Sequence, residues 1–258
     1  MLTITTNEVV QLVQMWLWPF FRIAGLLMTA PVIGTRTVPV RIRISIAVLI
    51  TVVIFPVLPE IRAIDPTSAE GVLISVQQVM IGISMGLCMR VVFVALELAG
   101  QAIGQLMGLM LASMVDPANG NQVPIIGQFY LLLATLLFLA VDGHLMMIHV
   151  LAESFNSMPI GSASMSANSA WEVLIWTGSI LKTAVVIALP AIVSLLIVNL
   201  SFGVMTRSAP QLNIFAVGFP IMIILGVLII FFNLSSFIPH MMGLFDGGFE
   251  MMRKVVTH

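Results

Sequence analysis

Charge is the scarcest thing in this sequence. Only 8 % of its 258 residues are Asp, Glu, Lys or Arg, against about 25 % in an ordinary soluble domain. So little charge cannot cover a water-facing surface, and a mean hydropathy of +1.14 agrees. A soluble globular chain is excluded. Ten bases against eleven acids leave a net charge of −1, so there is no basic face for a phosphate backbone and nucleic acid is not an expected partner. The single cysteine, Cys88, rules out an intrachain disulfide and a cysteine-based metal cluster. A small buried apolar side chain is its expected role. No Lys or Arg precedes the first apolar run, where Glu8 is the first charge and Arg22 the first base. That order does not fit a cleaved signal peptide, so the mature chain is expected to begin near Met1.

Catalytic patterns are missing too. No HExxH, P-loop or GxSxG occurs, and His144 and His149 stand five apart, which does not match a helical metal pair. Neither enzyme activity nor a cofactor is expected. Asp142 with His144 is the nearest thing to a proton relay, and a hydrogen-bonded histidine near a helix end is the plainer reading.

What is present is apolar residue, 60 % of the chain. About 20 such residues cross the ~30 Å of hydrocarbon in a bilayer. Six runs qualify, and a seventh is ambiguous: about 9–32, 44–58, 72–96, 124–150, 173–203 and 214–238, with 98–115 as the ambiguous one. The last is glycine-rich, carries Gln101 and Gln105, and runs into Asp116-Pro117-Ala118-Asn119-Gly120. It reads as a lining or re-entrant element. Residues 60–70 and 153–172 read as polar connections, and the tail from Pro239 as short and mixed. The expected fold is all-α and membrane-associated, with six to seven hydrophobic helices. Lys/Arg bias leaves the orientation open.

Ionisable groups inside or beside these runs point to function, because each costs about 2.5–3.5 kcal/mol on insertion scales unless paired or wetted. They are Arg22, Arg90, Glu97, Asp142 and Lys182, with Arg207 following the fifth run. Two readings stand side by side: they line an aqueous path or pair with neighbouring subunits, or they snorkel to interfaces and pair within the chain. Gly100, Gly104 and Gly108 make two GxxxG steps, a groove that another backbone can approach closely. Glu97, Gln101 and Gln105 form a polar ridge beside it at i,i+4. Met107, Met110 and Met114 follow in the same segment. Methionine is flexible enough to close around a passing object, although filling gaps in a core is its commoner use.

Taken together, several stretches carry a family likeness: Pro31-Val-Ile-Gly34 with Pro39-Val-Arg41-Ile-Arg43, the glycine ladder into Asp116-Pro117, the apolar run ending Asp142-Gly143-His144, and Arg207-Ser-Ala-Pro210-Gln211-Leu-Asn213-Ile-Phe215 with Gly218-Phe219-Pro220. Along its whole length the chain resembles the FliR family of flagellar type III export-gate subunits, related to the SctT subunits of injectisomes. The resemblance implies a single export-gate domain over 1–258, built of bent helical hairpins in 1–122 and 123–258. It also implies FliP/FliQ-like packing in a spiral assembly. FliP-like and FliQ-like subunits, other export-apparatus membrane proteins, unfolded secreted proteins and membrane lipid are the implied partners. The bacterial inner membrane at the flagellar basal body is the implied location. A plug at about 108–122, beginning at Gly108, would close the pore, with Met107, Met110 and Met114 lining it and Asp116, Pro117, Asn119 and Gly120 forming its turn. Pro19, Pro56, Pro190 and Pro220 fit bent helices. Two other functions remain open on the residues alone: a stand-alone secondary transporter of a small solute, suggested by broken helices with midplane charges, and an assembly factor with no pore surface.

Overall fold

The computed structural model describes residues 6–35, 37–59, 64–109, 124–161, 166–208 and 214–257. Among these the structure is helical with no strand. The elements are α1 (Thr6–Thr29), α2 (Val40–Ile54) with a 3-10 turn at Phe55–Val57, α3 (Ala69–Leu106), α4 (Ile125–Ala140), α5 (Gly143–Ser157), α6 (Ala167–Gly178), α7 (Ile180–Ser208) and α8 (Ile214–Thr257). Helix is the outcome that continuous apolar runs require, since a helix satisfies its own backbone where water is absent. Four helical stretches are long and apolar enough to cross a membrane: Val40–Val57, Ala69–Leu106, Ala167–Ser208 and Gly218–Ser235. A fifth exists if the bent pair α4 and α5 counts as one span.

The boundaries differ from the sequence reading in four places, each with a physical cause. The third run and the ambiguous seventh are one helix as far as Leu106. Glu97 and Gln101 sit one turn apart on it, with Gln101 Nε2 3.4 Å from Glu97 Oε1. Run four is broken at Val141-Asp142, where Asp142 takes a left-handed φ of 56°, a conformation Asp tolerates better than most residues. The two halves meet at 65°. The polar connection 153–172 is partly helical, because α5 continues to Ser157 and Ser166 starts α6 by accepting the Ser169 amide on its hydroxyl at 3.0 Å. Finally, the tail from Pro239 continues α8 to Thr257. Phe245, Phe249, Met252 and Val256 recur at helical spacing and are buried, with Phe245 edge-on to Phe138 at 5.4 Å.

Chain contacts divide the described residues into two units. The first gathers residues from Met1–Val92, Phe138–Gly178 and Phe245–His258; the second, from Phe93–Leu137 and Ser179–Leu244. In the first unit α1 and α3 cross almost backbone to backbone. A methyl group at Gly25 would lie 2.7 Å from Val79 O, one at Gly86 2.7 Å from Leu26 O, and one at Gly82 would strike Arg22 O. Trp18 is fully buried and donates its indole N–H to Ser75 Oγ at 3.2 Å. Trp176 of α6 donates to Cys88 O at 2.9 Å, which fixes α6 on α3. Ahead of α3, Asp65 accepts the Thr67 amide and hydroxyl at 2.9 and 2.8 Å, and Ser68 Oγ caps the Gly71 amide at 3.0 Å. The two Thr67 bonds hold the Asp65 carboxyl below its usual range. This turn is therefore intact at neutral pH and weakens as pH falls through that lowered value.

Gly82 and Gly203 make a paired test of the close crossing, since nothing lies within 4 Å of a methyl added at Gly203. Gly203→Ala is expected to stabilise by about 0.5–1 kcal/mol through helix propensity. Gly82→Ala is expected to destabilise by roughly 1–3 kcal/mol through overpacking. Thermal unfolding of the purified chain in detergent reads both, and equal midpoints for the two variants would contradict the crossing.

Candidate functional site

Two groups of the residues singled out in the sequence are brought together by the fold, one in each unit. In the first unit Arg22 of α1 is fully buried. Its Nε donates to Gln78 Oε1 of α3 at 2.8 Å, Nη1 to Ser154 O at 2.8 Å and Ser154 Oγ at 3.1 Å, and Nη2 to Met158 O at 2.8 Å. The guanidinium carbon lies 4.3 Å from the centre of the Phe155 ring. No carboxylate is among these partners. Instead, Ser154 and Met158 present carbonyls at the C-terminal end of α5, where the helix carries partial negative charge. Arg22 thus caps α5 from α1, and Phe155 adds a cation–π contact. All four acceptors belong to the same chain.

In the second unit the glycine ladder of α3 lies against the start of α4. A methyl at Gly100 would come within 2.6 Å of Ile126 O and 2.8 Å of Gly127 Cα; one at Gly127 would meet Glu97 O at 3.0 Å. Gly104 faces Ile126 more loosely, at 3.4 Å. The groove is therefore filled by a helix of this chain. Gly108 has φ +80° and a Phe219 ring 3.3 Å from where its Cβ would be, so the chain turns there in a conformation glycine adopts freely. Met107 is fully buried against Gly226 of α8, with its Cγ, Cε and Sδ 2.5–2.7 Å from a Cβ built at that glycine. Asn199 of α7 reaches Leu106 O at 3.4 Å and covers a carbonyl at the end of α3. Glu97 and Gln101 are half-buried and Gln105 is exposed, so the ridge runs from packed to open towards Gly108. Met110, Met114, Asp116, Pro117, Asn119 and Gly120 lie outside the described residues.

The other charges are on the surface of this chain. Arg90, Asp142, Lys182 and Arg207 are exposed. Arg207 sits in the last turn of α7, where a cation is favoured. His144 is half-buried and its Nδ1 has no hydrogen-bond partner among the described residues. His149 instead meets Glu153 at 3.2 Å, and Arg253 approaches the other oxygen of that carboxylate at 3.9 Å. Among the described residues, no group of three His, Cys, Asp or Glu side chains is placed to hold a metal ion.

Sequence reasoning missed Gln78, Ser154 and the glycines of the α1–α3 crossing. Gly82 and Gly86 form a GxxxG step of their own, a signal that could have been read. Gln78 was visible, next to Gln77, as an amide in an apolar run, but the Ser154 and Met158 carbonyls carry no side-chain signal.

Replacing Arg22 with Ala would strand the Gln78 and Met158 acceptors, each at about 1–3 kcal/mol, while the Ser154 carbonyl keeps the Met158 amide. The expected outcome is a loss of roughly 3 kcal/mol or more of unfolding free energy, with Arg22→Lys in between because an ammonium lacks the planar fork. Denaturation in detergent checks this, and an Arg22→Ala protein as stable as the parent would rule out the cap.

A model of the family described as "Bacterial export proteins, family 1" matches residues 13–248. A protein named flagellar biosynthetic protein FliR from Pectobacterium carotovorum subsp. carotovorum is 38 % identical over 257 residues, covering 100 % of this chain and 98 % of that protein. One of the same name from Escherichia coli (strain K12) is 34 % identical over 258 residues, with 100 % and 98 % covered. Another from Bacillus subtilis (strain 168) is 27 % identical over 254 residues, with 97 % and 98 % covered.

Proposed function

From the premise that the chain belongs to the FliR family of bacterial export proteins, we propose that it is a core subunit of the flagellar type III protein export gate. Membership makes it a component of the flagellar export apparatus, and its apolar helices suit the bacterial inner membrane at the basal body. In the finer reading the whole chain acts as one gate domain that packs with FliP-like and FliQ-like subunits around a protein-conducting pore. The segment about 108–122 is the plug, with Met110 and Met114 lining the path and Asp116, Pro117, Asn119 and Gly120 forming its turn. Met107, expected from the sequence to line the path, is instead packed inside the chain against Gly226 and anchors the start of the plug.

The observation that carries this reading is the end of α3. An exposed glutamine, a buried methionine and a left-handed glycine stand within four residues at Gln105, Met107 and Gly108. α3 thereby ends at Leu106 and the chain turns at Gly108, the first residue of the proposed plug. A firmly packed anchor immediately before the segment is what a displaceable obstruction needs. The exposed charges Arg90, Asp142, Lys182 and Arg207 are then available to pair with neighbouring subunits. A stand-alone transporter would favour matched broken helices in two halves. Among the described residues one strongly bent pair occurs, α4 with α5, so the gate reading is preferred.

Deleting residues 114–122 is expected to raise ion leakage through the assembled gate, measured as dye or current flow across vesicles or cells. Unchanged tightness would count against a plug. Cysteines placed singly across 108–122 are expected to cross-link to a secreted chain stalled during export. If partner subunits still bind but no substrate adduct forms, the chain is an assembly factor and not part of the pore.

A further inference from the structure

We propose that α2 is a lipid-facing helix whose basic end binds the headgroups of anionic phospholipids. With its 3-10 turn, α2 forms an 18-residue stretch, Val40–Val57, of which only 17 % is buried. At 1.5 Å per residue such a stretch rises about 27 Å, close to the ~30 Å hydrocarbon thickness. Its outward face is apolar from end to end: Val40, Ile44, Leu49, Val53 and Val57 are 49–73 % exposed. Polar atoms on the helix are closed off within it. Thr51 is buried and donates to Ala47 O at 2.7 Å, and Ser45 donates to Arg41 O at 3.0 Å.

The two ends differ, and the difference identifies the occupant. At the C-terminal end Phe55 stacks on Trp16 of α1, ring centres 4.5 Å apart and 7° from parallel, followed by Pro56 and Pro59. Aromatic rings at the edge of an apolar span are typical of a membrane–water boundary. At the N-terminal end Arg41 and Arg43 lie in the first turn of α2, where the helix dipole opposes a cation. No Asp or Glu occurs in the sequence between Glu8 and Glu60. Arg43 folds back, its Nη2 donating to Val38 O at 2.9 Å and to Thr35 O, while its Nε has no partner among the described residues. Arg41 is exposed. Cations kept at the unfavourable end of a helix, beside an uncovered apolar face, make a favourable site for an anion. A phosphodiester headgroup supplies that anion, and its acyl chains cover the face below it. An acidic protein segment would answer the arginines only.

The test uses the full-length chain in vesicles of phosphatidylcholine with and without phosphatidylglycerol. Ile44→Cys, one turn from Arg41, carries a bimane fluorophore; the native Cys88 is buried, so labelling is selective. Brominated phosphatidylglycerol is expected to quench this reporter more strongly than brominated phosphatidylcholine. Arg41→Gln should cut the preference about fivefold, the effect of roughly one kcal/mol per arginine near an anionic surface, and added salt should cut it further. Arg41→Gln leaves the turn bonds of Arg43 in place, and Arg41→Lys should retain the preference. Equal quenching by the two lipids, or a preference unchanged in Arg41→Gln, overturns the proposal. So does a reporter that neither brominated lipid quenches. None of these outcomes depends on whether the chain gates export.

Discussion

A guanidinium taken out of water has to be met by acceptors, and in this chain that requirement is concentrated at Arg22. The penalty for burying such an ion is several kcal/mol even after relaxation. Here it is offset by four hydrogen bonds and an aromatic face. Because those acceptors come from α3 and from the end of α5, three helices distant in sequence must converge at one point. That convergence sets other choices in the first unit. Gly25, Gly82 and Gly86 let α1 and α3 approach until only glycine fits, and Phe155 turns its ring to the cation. The absence of a carboxylate matters: the charge is balanced by the end of a helix, so the arrangement survives where a titratable partner would lose its charge.

The second unit solves a different problem with different means. It has no buried ion of this kind among its described residues, and its helices are brought together by small side chains. Gly100 and Gly127 let α3 and α4 touch along their backbones, and Gly226 receives Met107. Such packing needs little polar chemistry and leaves the polar ridge of Glu97, Gln101 and Gln105 free to serve another purpose. Much apolar surface remains uncovered on α2, α7 and α8, as expected of a chain whose surroundings are lipid and other subunits.

Much of this was legible in the sequence. Low charge and long apolar runs gave the helical class. The break at Asp142 was not legible: the run 124–150 reads as one segment although Asp142 stands inside it. GxxxG spacing marked the ladder from Gly100. The boundaries were less legible for a physical reason: hydropathy reports where lipid would accept a segment, not where hydrogen bonding stops. α3 therefore continued through Glu97, where sequence composition placed a division, and α8 continued through Pro239 because Phe245 and Phe249 had a face to fill. The exposed charges were visible as charges, but their placement on the surface was not. Arg22 was recognised as costly, and its solution was hidden, because two of its partners are backbone carbonyls more than 130 residues away.

The central claim is that this buried cation is satisfied inside the chain, and a double-mutant cycle on Arg22 and Gln78 tests it most directly. With Arg22→Met, Gln78→Leu and the two combined, unfolding of the purified chain alone in detergent gives the coupling between them. Strong coupling, with the double variant about as stable as Arg22→Met by itself, is the predicted result. Simple additivity of the two losses would contradict it.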